Sequence, residues 1–214
     1  MAHIVLLGDS IFDNGSYTGG GPDVIRQVRE RLPAGWKGTL LAVDGATTRG
    51  IDTQLTRLPG DATHLVLSVG GNDALGAQHI LRAGVGTVAE AMTVLAETAA
   101  GFEASYRKVA DACLRRRLPL TICTIYNGNF PDAKYQQAVS TALAAFNDAI
   151  IRVGIRNGLT VLDLRQICSE PADYANPIEP SSRGGAKIAA AIVRAIAGPA
   201  GSDWTGARIM GALP

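Results

Sequence analysis

Residues 3–15, HIVLLGDSIFDNG, contain an apolar run at 4–7 that ends abruptly at Gly8-Asp9-Ser10. A run this short and this rich in Val, Ile and Leu is typical of a strand buried on both faces of a parallel sheet. Because open α/β sheets build their sites at the carboxyl ends of strands, Ser10 lies where a nucleophile is useful. The competing interpretation is that Asp9 and Ser10 only form a turn or cap a helix.

Strand-like and helix-like segments alternate along the chain, which predicts an α/β protein with a parallel sheet and helices on both faces. Since the sequence contains no linker or internal repeat, residues 1–197 are expected to form one domain. The Gly-rich tail 198–214, which contains Trp204, is expected to pack on that domain or on a neighbour. The five predicted strands are 4–7, 39–43, 64–69, 120–125 and 160–164, and the predicted helices are 23–32, 49–58, 86–117, 132–157 and 182–197.

Composition excludes several classes of protein. The chain has 214 residues, of which 47% are hydrophobic, so it is long and apolar enough for one packed α/β domain. Its net charge of +1 does not favour nucleic acid or an anionic membrane surface as a partner. We expect a cytoplasmic protein with no signal peptide and no membrane span, acting on a small molecule; a homo-oligomer is left open.

Cysteine usage argues against a disulfide framework. Cys113, Cys123 and Cys168 are odd in number, scattered, and lack the CxxC spacing of a zinc site. We therefore predict that the protein needs neither a metal nor another cofactor.

Small and polar residues follow each of the first three predicted strands. They are Gly8-Asp9-Ser10, residues 44–48 with Gly45, and residues 70–73 with Asn72. Acyl transfer needs a nucleophile and hydrogen-bond donors aimed at the developing oxyanion. Ser10 suits the first role, and the backbone N–H groups of Ser10 and Gly45 with the Asn72 amide suit the second. The alternative is that the glycines merely turn the chain.

These three blocks, in this order and at these distances, resemble the SGNH (GDSL) hydrolase superfamily of esterases, lipases, thioesterases and carbohydrate esterases. The resemblance implies a flavodoxin-like three-layer α/β/α sandwich. It also implies that Ser10 is the nucleophile, with the Ser10 N–H, the Gly45 N–H and Asn72 forming the oxyanion hole.

The sequence departs from the family's fourth block, an Asp-x-x-His before the last helix. Asn176 stands at the Asp position and Glu179 at the His position, while Pro180, Ser181 and Gly184 agree with the pattern. A carboxylate in a sheltered site can serve as general base, and an Asn side chain can donate an N–H to it. An ordinary Glu lies about 2 pKa units below His, which makes it a weaker base by roughly 3 kcal/mol.

Other titratable residues are auxiliary candidates. His79 follows Asn72 closely and is an alternative base, whereas His3 and His64 open strands and so lie at the wrong end of the sheet. Asp173 is either a second support for Glu179 or a turn residue. Asp9, which is next to the candidate nucleophile Ser10, is a further auxiliary candidate.

The sequence thus predicts a serine hydrolase that cleaves carboxylic esters through an acyl-enzyme, with a carboxylate in place of the usual histidine. The alternative is a binding protein that keeps the fold without hydrolysis. A nucleotide binder has no support, because neither GxGxxG nor a Walker lysine is present. Loops 15–21, 74–85 and 126–130 are expected to shape the pocket, and their modest length favours short esters.

Overall fold

The computed structural model describes residues 1–198 and 208–211. Within them, six parallel strands form a single sheet with the order β2-β1-β3-β4-β5-β6. The order of the strands and their parallel direction confirm the predicted parallel α/β fold. The strands are β1 His3–Gly8, β2 Lys37–Leu40, β3 His64–Ser68, β4 Leu120–Cys123, β5 Thr160–Leu162 and β6 Arg208–Met210.

The longer helices begin where polar side chains cap them. Asp23, Thr87, Asp132 and Ser181 each accept a backbone N–H from the first turn that follows, which satisfies a donor the helix itself cannot pair. The α-helices are α1 Val24–Arg31, α2 Ile51–Thr56, α3 Gly71–Gly76, α4 Val88–Leu114, α5 Ala133–Arg156, α6 Leu164–Ile167 and α7 Ser182–Ala197, with 3-10 helices at Gly15–Tyr17, Thr48–Gly50, Gln78–Arg82 and Pro171–Asp173.

The sheet separates two hydrophobic cores. In β1, Val5 and Leu7 face the core that α2, α4 and α5 cover, whereas Ile4 and Leu6 face the core beneath α1, α6 and α7. Alternate side chains of a strand point to opposite faces, so a strand covered on both sides is apolar throughout. This double burial explains why the run at 4–7 is continuous rather than alternating.

The sheet has six strands and not the predicted five. Arg208–Met210 of the Gly-rich tail forms β6, which pairs parallel with β5 at the edge of the sheet. A strand of three residues is too short to show a periodicity, and its glycine-rich surroundings favoured coil. Trp204 lies outside the described residues.

Several element predictions needed correction. The strand predicted at 39–43 is β2, Lys37–Leu40, because the chain leaves the ladder after Leu40 and exposes Val43. The helix predicted at 86–117 is α4, Val88–Leu114, which continues through Gly101 because Phe102 and Tyr106 anchor it in the core. The loop predicted at 74–85 contains the second half of α3 and a 3-10 helix.

The expectation of no membrane span stays a prediction. By length and composition alone one helix, α5, passes the test for a membrane span, with a mean hydropathy of 1.3 over its most apolar window. Phe146, Ile150 and Val153 of this helix lie in the core, while Ala138 is exposed. A core helix can pass the same test, so this finding is weak evidence for a membrane span.

The strand order creates a crevice at the edge of the sheet. From β1 the chain crosses to β2 on one side, and β3 then pairs with β1 on the other. Such a switch point is where open α/β sheets bind ligands, beyond the carboxyl ends of the strands. Gly8 pairs with Ser68, so the ends of β1 and β3 are level, and Ser10 and Asn72 follow them directly.

Candidate active site

A glycine and a glutamine form the turn that presents Ser10. Gly8 has a φ of 136°, and a Cβ there would lie 1.8 Å from the Ser68 carbonyl oxygen, so only glycine fits. The Gln54 side chain accepts the Gly8 N–H at 2.8 Å and donates to the Gly8 carbonyl at 2.7 Å. The chain then turns at Asp9, which leaves Ser10 6% exposed at the end of β1.

Two aspartates hold the loop that contains Gly45. The Asp13 carboxylate accepts the Asp44 N–H at 2.9 Å, and Asp73 accepts both the N–H and the hydroxyl of Thr48. Gly45 has a φ of 77°, in the left-handed region that favours glycine. The backbone around Gly45 is therefore fixed from the loop after β1 and from α3.

The donors predicted for the oxyanion hole remain available for hydrogen bonding. Within the described residues, the backbone N–H groups of Ser10 and Gly45 have no acceptor. The Asn72 side-chain amide donates to the Ala46 carbonyl at 2.9 Å, which uses one of its two hydrogens and holds it beside the Gly45 loop. These are the donors that an oxyanion requires.

Asn176 contacts Glu179 differently from the sequence expectation. Its side-chain oxygen accepts the N–H groups of Ile178 and Glu179, each at 2.9 Å, and the Ala175 N–H donates to the Glu179 carbonyl. Asn and Asp commonly close turns in this way. Asn176 therefore shapes the backbone under Glu179 instead of donating to its carboxylate.

Two further side chains hold the Glu179 segment from the body of the protein. The Tyr126 hydroxyl donates to the Ile178 carbonyl at 2.6 Å. The fully buried Asn14 donates to the Pro180 carbonyl at 3.2 Å and accepts the Val24 N–H at 2.9 Å. The peptides on both sides of Glu179 are thus anchored.

Glu179 is a sheltered carboxylate beside the Ser10 hydroxyl. It is 7% exposed, and its Oε2 has no hydrogen-bond partner among the described residues. Burial raises the pKa of Glu179 and the nearby Asp44 carboxylate raises it further, while the Ser10 hydroxyl, acting as a hydrogen-bond donor, lowers it. The two side chains are neighbours without a hydrogen bond of standard length and angle between them.

Asp9 is the other perturbed acid of the site. Its burial, followed by the negative charges of Glu179 and Asp73, raises its pKa from 3.8 to about 7, although the Ile11 N–H donates to it. Near neutral pH it is therefore protonated in a large fraction of molecules. A neutral Asp9 spares Glu179 the repulsion of a second buried charge.

One cavity connects these residues. Asp9, Ser10, Asn72 and Glu179 all line it, and its empty volume is about 940 Å³, part of which is open to solvent. Gly45 lies outside the lining but is linked to it through the hydrogen bond from Asn72 to Ala46. Within the described part of the chain, no group of three or more His, Cys, Asp or Glu side chains could hold a metal ion.

A family model matches the part of the chain that contains these residues. The GDSL-like lipase/acylhydrolase family matches residues 6–187, which include Ser10, Asn72 and Glu179. The chain belongs to this family. A comparison with curated proteins found no match.

Solved structures of GDSL-like and other ester hydrolases share the fold at low identity. The extracellular lipase of Streptomyces rimosus has a TM-score of 0.68 and 17% identity, over 91% of this chain and 99% of that one. The lipase Lip_vut3 from a goat rumen metagenome has a TM-score of 0.70 and 18% identity, over 92% and 98%. Est24, a carbohydrate acetylesterase from Sinorhizobium meliloti, has a TM-score of 0.64 and 12% identity, over 92% and 99%.

Other candidates of this GDSL-like protein lie away from Ser10. His79 is exposed, contacts the Gly76 carbonyl at 3.4 Å and does not line the cavity. His3 contacts Asp61 at the opposite end of the sheet. Asp173 is fully buried, and one of its oxygens contacts the Lys187 ammonium at 2.8 Å, which joins the last 3-10 helix to α7. Of the auxiliary candidates, only Asp9 borders the cavity.

Sequence reasoning gave no role to Gln54 or Asp73 in positioning the GDSL-like site, and it placed Tyr126 only in a loop expected to shape the pocket. Gln54, Asp73 and Tyr126 act through backbone groups of other segments, over separations of 46, 25 and 52 residues. Asp73 follows the candidate oxyanion residue directly, and this adjacency was the one available signal. For Gln54 and Tyr126 the contacts exist only in the folded chain, so no local pattern indicates them.

Proposed function

We propose that the protein hydrolyses carboxylic esters through an acyl-enzyme on Ser10, with Glu179 as the general base. The observation that carries the proposal is the position of the Glu179 carboxylate, which neighbours the Ser10 hydroxyl in a cavity also lined by Asn72. A nucleophile beside a base and oxyanion donors is the arrangement that acyl transfer needs.

In the first half-reaction, Glu179 takes the Ser10 hydroxyl proton while Oγ attacks the ester carbonyl carbon. The oxyanion accepts hydrogen bonds from the Ser10 N–H, the Gly45 N–H and the Asn72 amide. The carbon–oxygen bond to the alcohol then breaks, and Glu179 returns its proton to the leaving alkoxide.

In the second half-reaction, Glu179 takes a proton from water as the water attacks the acyl-enzyme. The bond to Ser10 Oγ breaks, and Oγ receives the proton. Ester and water have then become carboxylic acid and alcohol, and the enzyme is restored.

Burial partly offsets the weakness of a carboxylate as a base. Since proton transfer becomes easier as the pKa of the base approaches the working pH, the raised pKa of Glu179 acts in the required direction. Asn176 fits this chemistry because a carboxylate at that position would add a negative charge near a base that is itself anionic.

Four proteins test the mechanism: wild type, Ser10→Ala, Glu179→Gln and Glu179→Ala. We expect Ser10→Ala to lose all turnover of p-nitrophenyl esters and labelling by a fluorophosphonate probe. Both Glu179 variants should lose about 100-fold to 10,000-fold in kcat/KM, the usual contribution of a general base. Glu97→Gln, an exposed change on α4, is the matched control and should keep full activity.

The outcomes separate the alternatives. Full activity of Glu179→Gln beside an inactive Ser10→Ala would show that another group is the base. Absence of both labelling and hydrolysis in a folded wild type would instead favour a binding protein.

A further inference from the structure

The cavity beside Ser10 is strongly asymmetric. Asp9, Ser10, Asn72 and Glu179 line one part of it, whereas its other walls come from α3, the 3-10 helix Gln78–Arg82 and α5. The polar groups on those other walls include Gln78 and Tyr135, and the Tyr135 hydroxyl donates to the Gln78 side chain at 3.4 Å. None of the described residues that line the cavity is Lys or Arg. The other walls also include the aliphatic side chains of Ala74, Leu75, Ile80, Leu81, Val139 and Leu143.

One stripe of α5 gives the cavity its length. Tyr135, Val139, Ala142, Leu143 and Phe146 all line it, and their spacing places them on a single face of the helix. At about 1.5 Å of rise per residue, this stripe extends for roughly 16 Å. The cavity is therefore an elongated apolar trough and exceeds the space that an acetyl group needs.

The opposite side of Ser10 is acidic and open. There the Tyr17 hydroxyl donates to the exposed Asp44 carboxylate at 2.7 Å, and Asp44 acts electrostatically on Glu179. The leaving alcohol must receive its proton from Glu179, so we place it on this polar side. The acyl substituent then points along the trough.

Resting on the function proposed above, we infer that this trough binds the acyl chain of medium-chain fatty esters. Ile80, Leu81 and Ala142 line both the trough and a neighbouring groove between α4 and α5, so a larger side chain at position 142 should narrow the trough. The absence of Lys and Arg from the described lining, together with Asp9 and Glu179, disfavours an acyl chain with an anionic end. The inference replaces the expectation of short esters, which rested on loop length alone.

A series of p-nitrophenyl esters from acetate to dodecanoate, each below its critical micelle concentration, tests the inference. Burying one methylene is worth about 0.8 kcal/mol, so kcat/KM should rise by up to about four-fold per added methylene until the trough is filled. A kcat/KM that is highest on acetate and falls with chain length would overturn the inference.

Substitutions on α5 test whether the trough causes the dependence of kcat/KM on chain length. Ala142→Phe should lower the ratio of kcat/KM on octanoate to kcat/KM on acetate at least ten-fold. Ala144→Phe is the matched control, because Ala144 is exposed on the same helix and lines neither cavity. If Ala142→Phe fails to fold by circular dichroism, Val139→Phe makes the same test. Equal losses on acetate and octanoate would contradict the assignment of the trough.

Two isomeric esters decide which side of the substrate occupies the trough. Methyl nonanoate and octyl acetate have the same atoms, but only the first has a long acyl chain. We expect methyl nonanoate to be the better substrate and octyl acetate to resemble ethyl acetate. The reverse order would assign the trough to the alcohol and overturn the inference while leaving the esterase function intact. Failure of the function itself would appear separately, as loss of fluorophosphonate labelling in the wild type.

Discussion

At the scale of single residues, the carboxylates around Ser10 differ in their burial and in their hydrogen-bond partners. Glu179 is buried beside a serine, whereas Asp44 is exposed and accepts a hydrogen bond from a tyrosine. The sequence predicted Ser10, Asn72 and Glu179 as site residues because each lies in a short motif after a strand or before a helix, and all three line one cavity. The sequence could not give the direction in which a side chain points. Asn176 was expected to donate to the Glu179 carboxylate, but its side-chain oxygen accepts backbone N–H groups instead.

The pH dependence of turnover follows from Glu179. A base must be deprotonated, and burial raises the pKa of Glu179, so kcat/KM should fall with acid at a pH above the ordinary 4.5 of that carboxyl. Asn176→Asp keeps the oxygen acceptor and adds a nearby negative charge, and should move this limb to higher pH. The pH–rate profiles of both proteins on one soluble ester provide the measurement. A limb confined to pH values above about 6.5, the ordinary pKa of histidine, would contradict the assignment.

Asp9 makes folding stability depend on pH in the opposite sense to a salt-bridged acid. Its pKa rises from 3.8 to about 7 on folding, so its unfavourable contribution is absent in acid and develops as pH rises through that interval. Asp9→Asn can still accept the Ile11 N–H and should match wild type near pH 4. At pH 8.5 it should be more stable by up to about 4 kcal/mol in urea unfolding.

The control for this prediction is Glu97→Gln, which removes an exposed charge. Its stability relative to wild type should change little between the two pH values. A constant difference between Asp9→Asn and wild type across the range would contradict the prediction, because it would show that folding leaves the pKa of Asp9 unchanged.

At the scale of elements, the segment that carries Glu179 is irregular and depends on a few hydrogen bonds. Tyr126→Phe removes the hydroxyl that donates to the Ile178 carbonyl and should lower stability by about 1–2 kcal/mol. We expect kcat to fall several-fold with KM little changed, because the base is no longer held at the serine. Steady-state kinetics and urea unfolding on the same sample measure both effects.

Tyr174→Phe is the matched control. The Tyr174 ring packs edge-on against Tyr126, and its hydroxyl donates to the Cys168 carbonyl at 2.7 Å, away from the peptides that flank Glu179. It should lose comparable stability and keep its kcat. Equal losses of kcat in both variants would mean that Tyr126 acts only through stability.

Prediction of elements succeeded where the pattern was long and failed where it was short. The last long helix was predicted at 182–197, and these are the observed bounds of α7. By contrast, α3 begins inside the motif Gly71-Asn72-Asp73 and spans only six residues. A glycine-led helix of this length has no hydrophobic period, so tertiary contacts such as those of Asp73 with Thr48 determine it.

At the scale of the whole molecule, all three cysteines are free and buried in the two cores. Burial raises the pKa of the Cys113 and Cys168 thiols to about 12 and that of Cys123 beyond this. We expect Ellman's reagent at pH 8 to modify none of them in minutes in the native protein and all three in 6 M guanidinium chloride. A thiol that reacts rapidly in the native state would show that one core opens locally.

The hydrogen bond from Asn14 to Pro180 joins positions 166 residues apart. A ribosome therefore releases the serine early in translation and the carboxylate only near the end. Every truncated nascent chain that lacks the later segment contains Ser10 without Glu179. On the function proposed above, esterase activity during synthesis should therefore report completion of the fold.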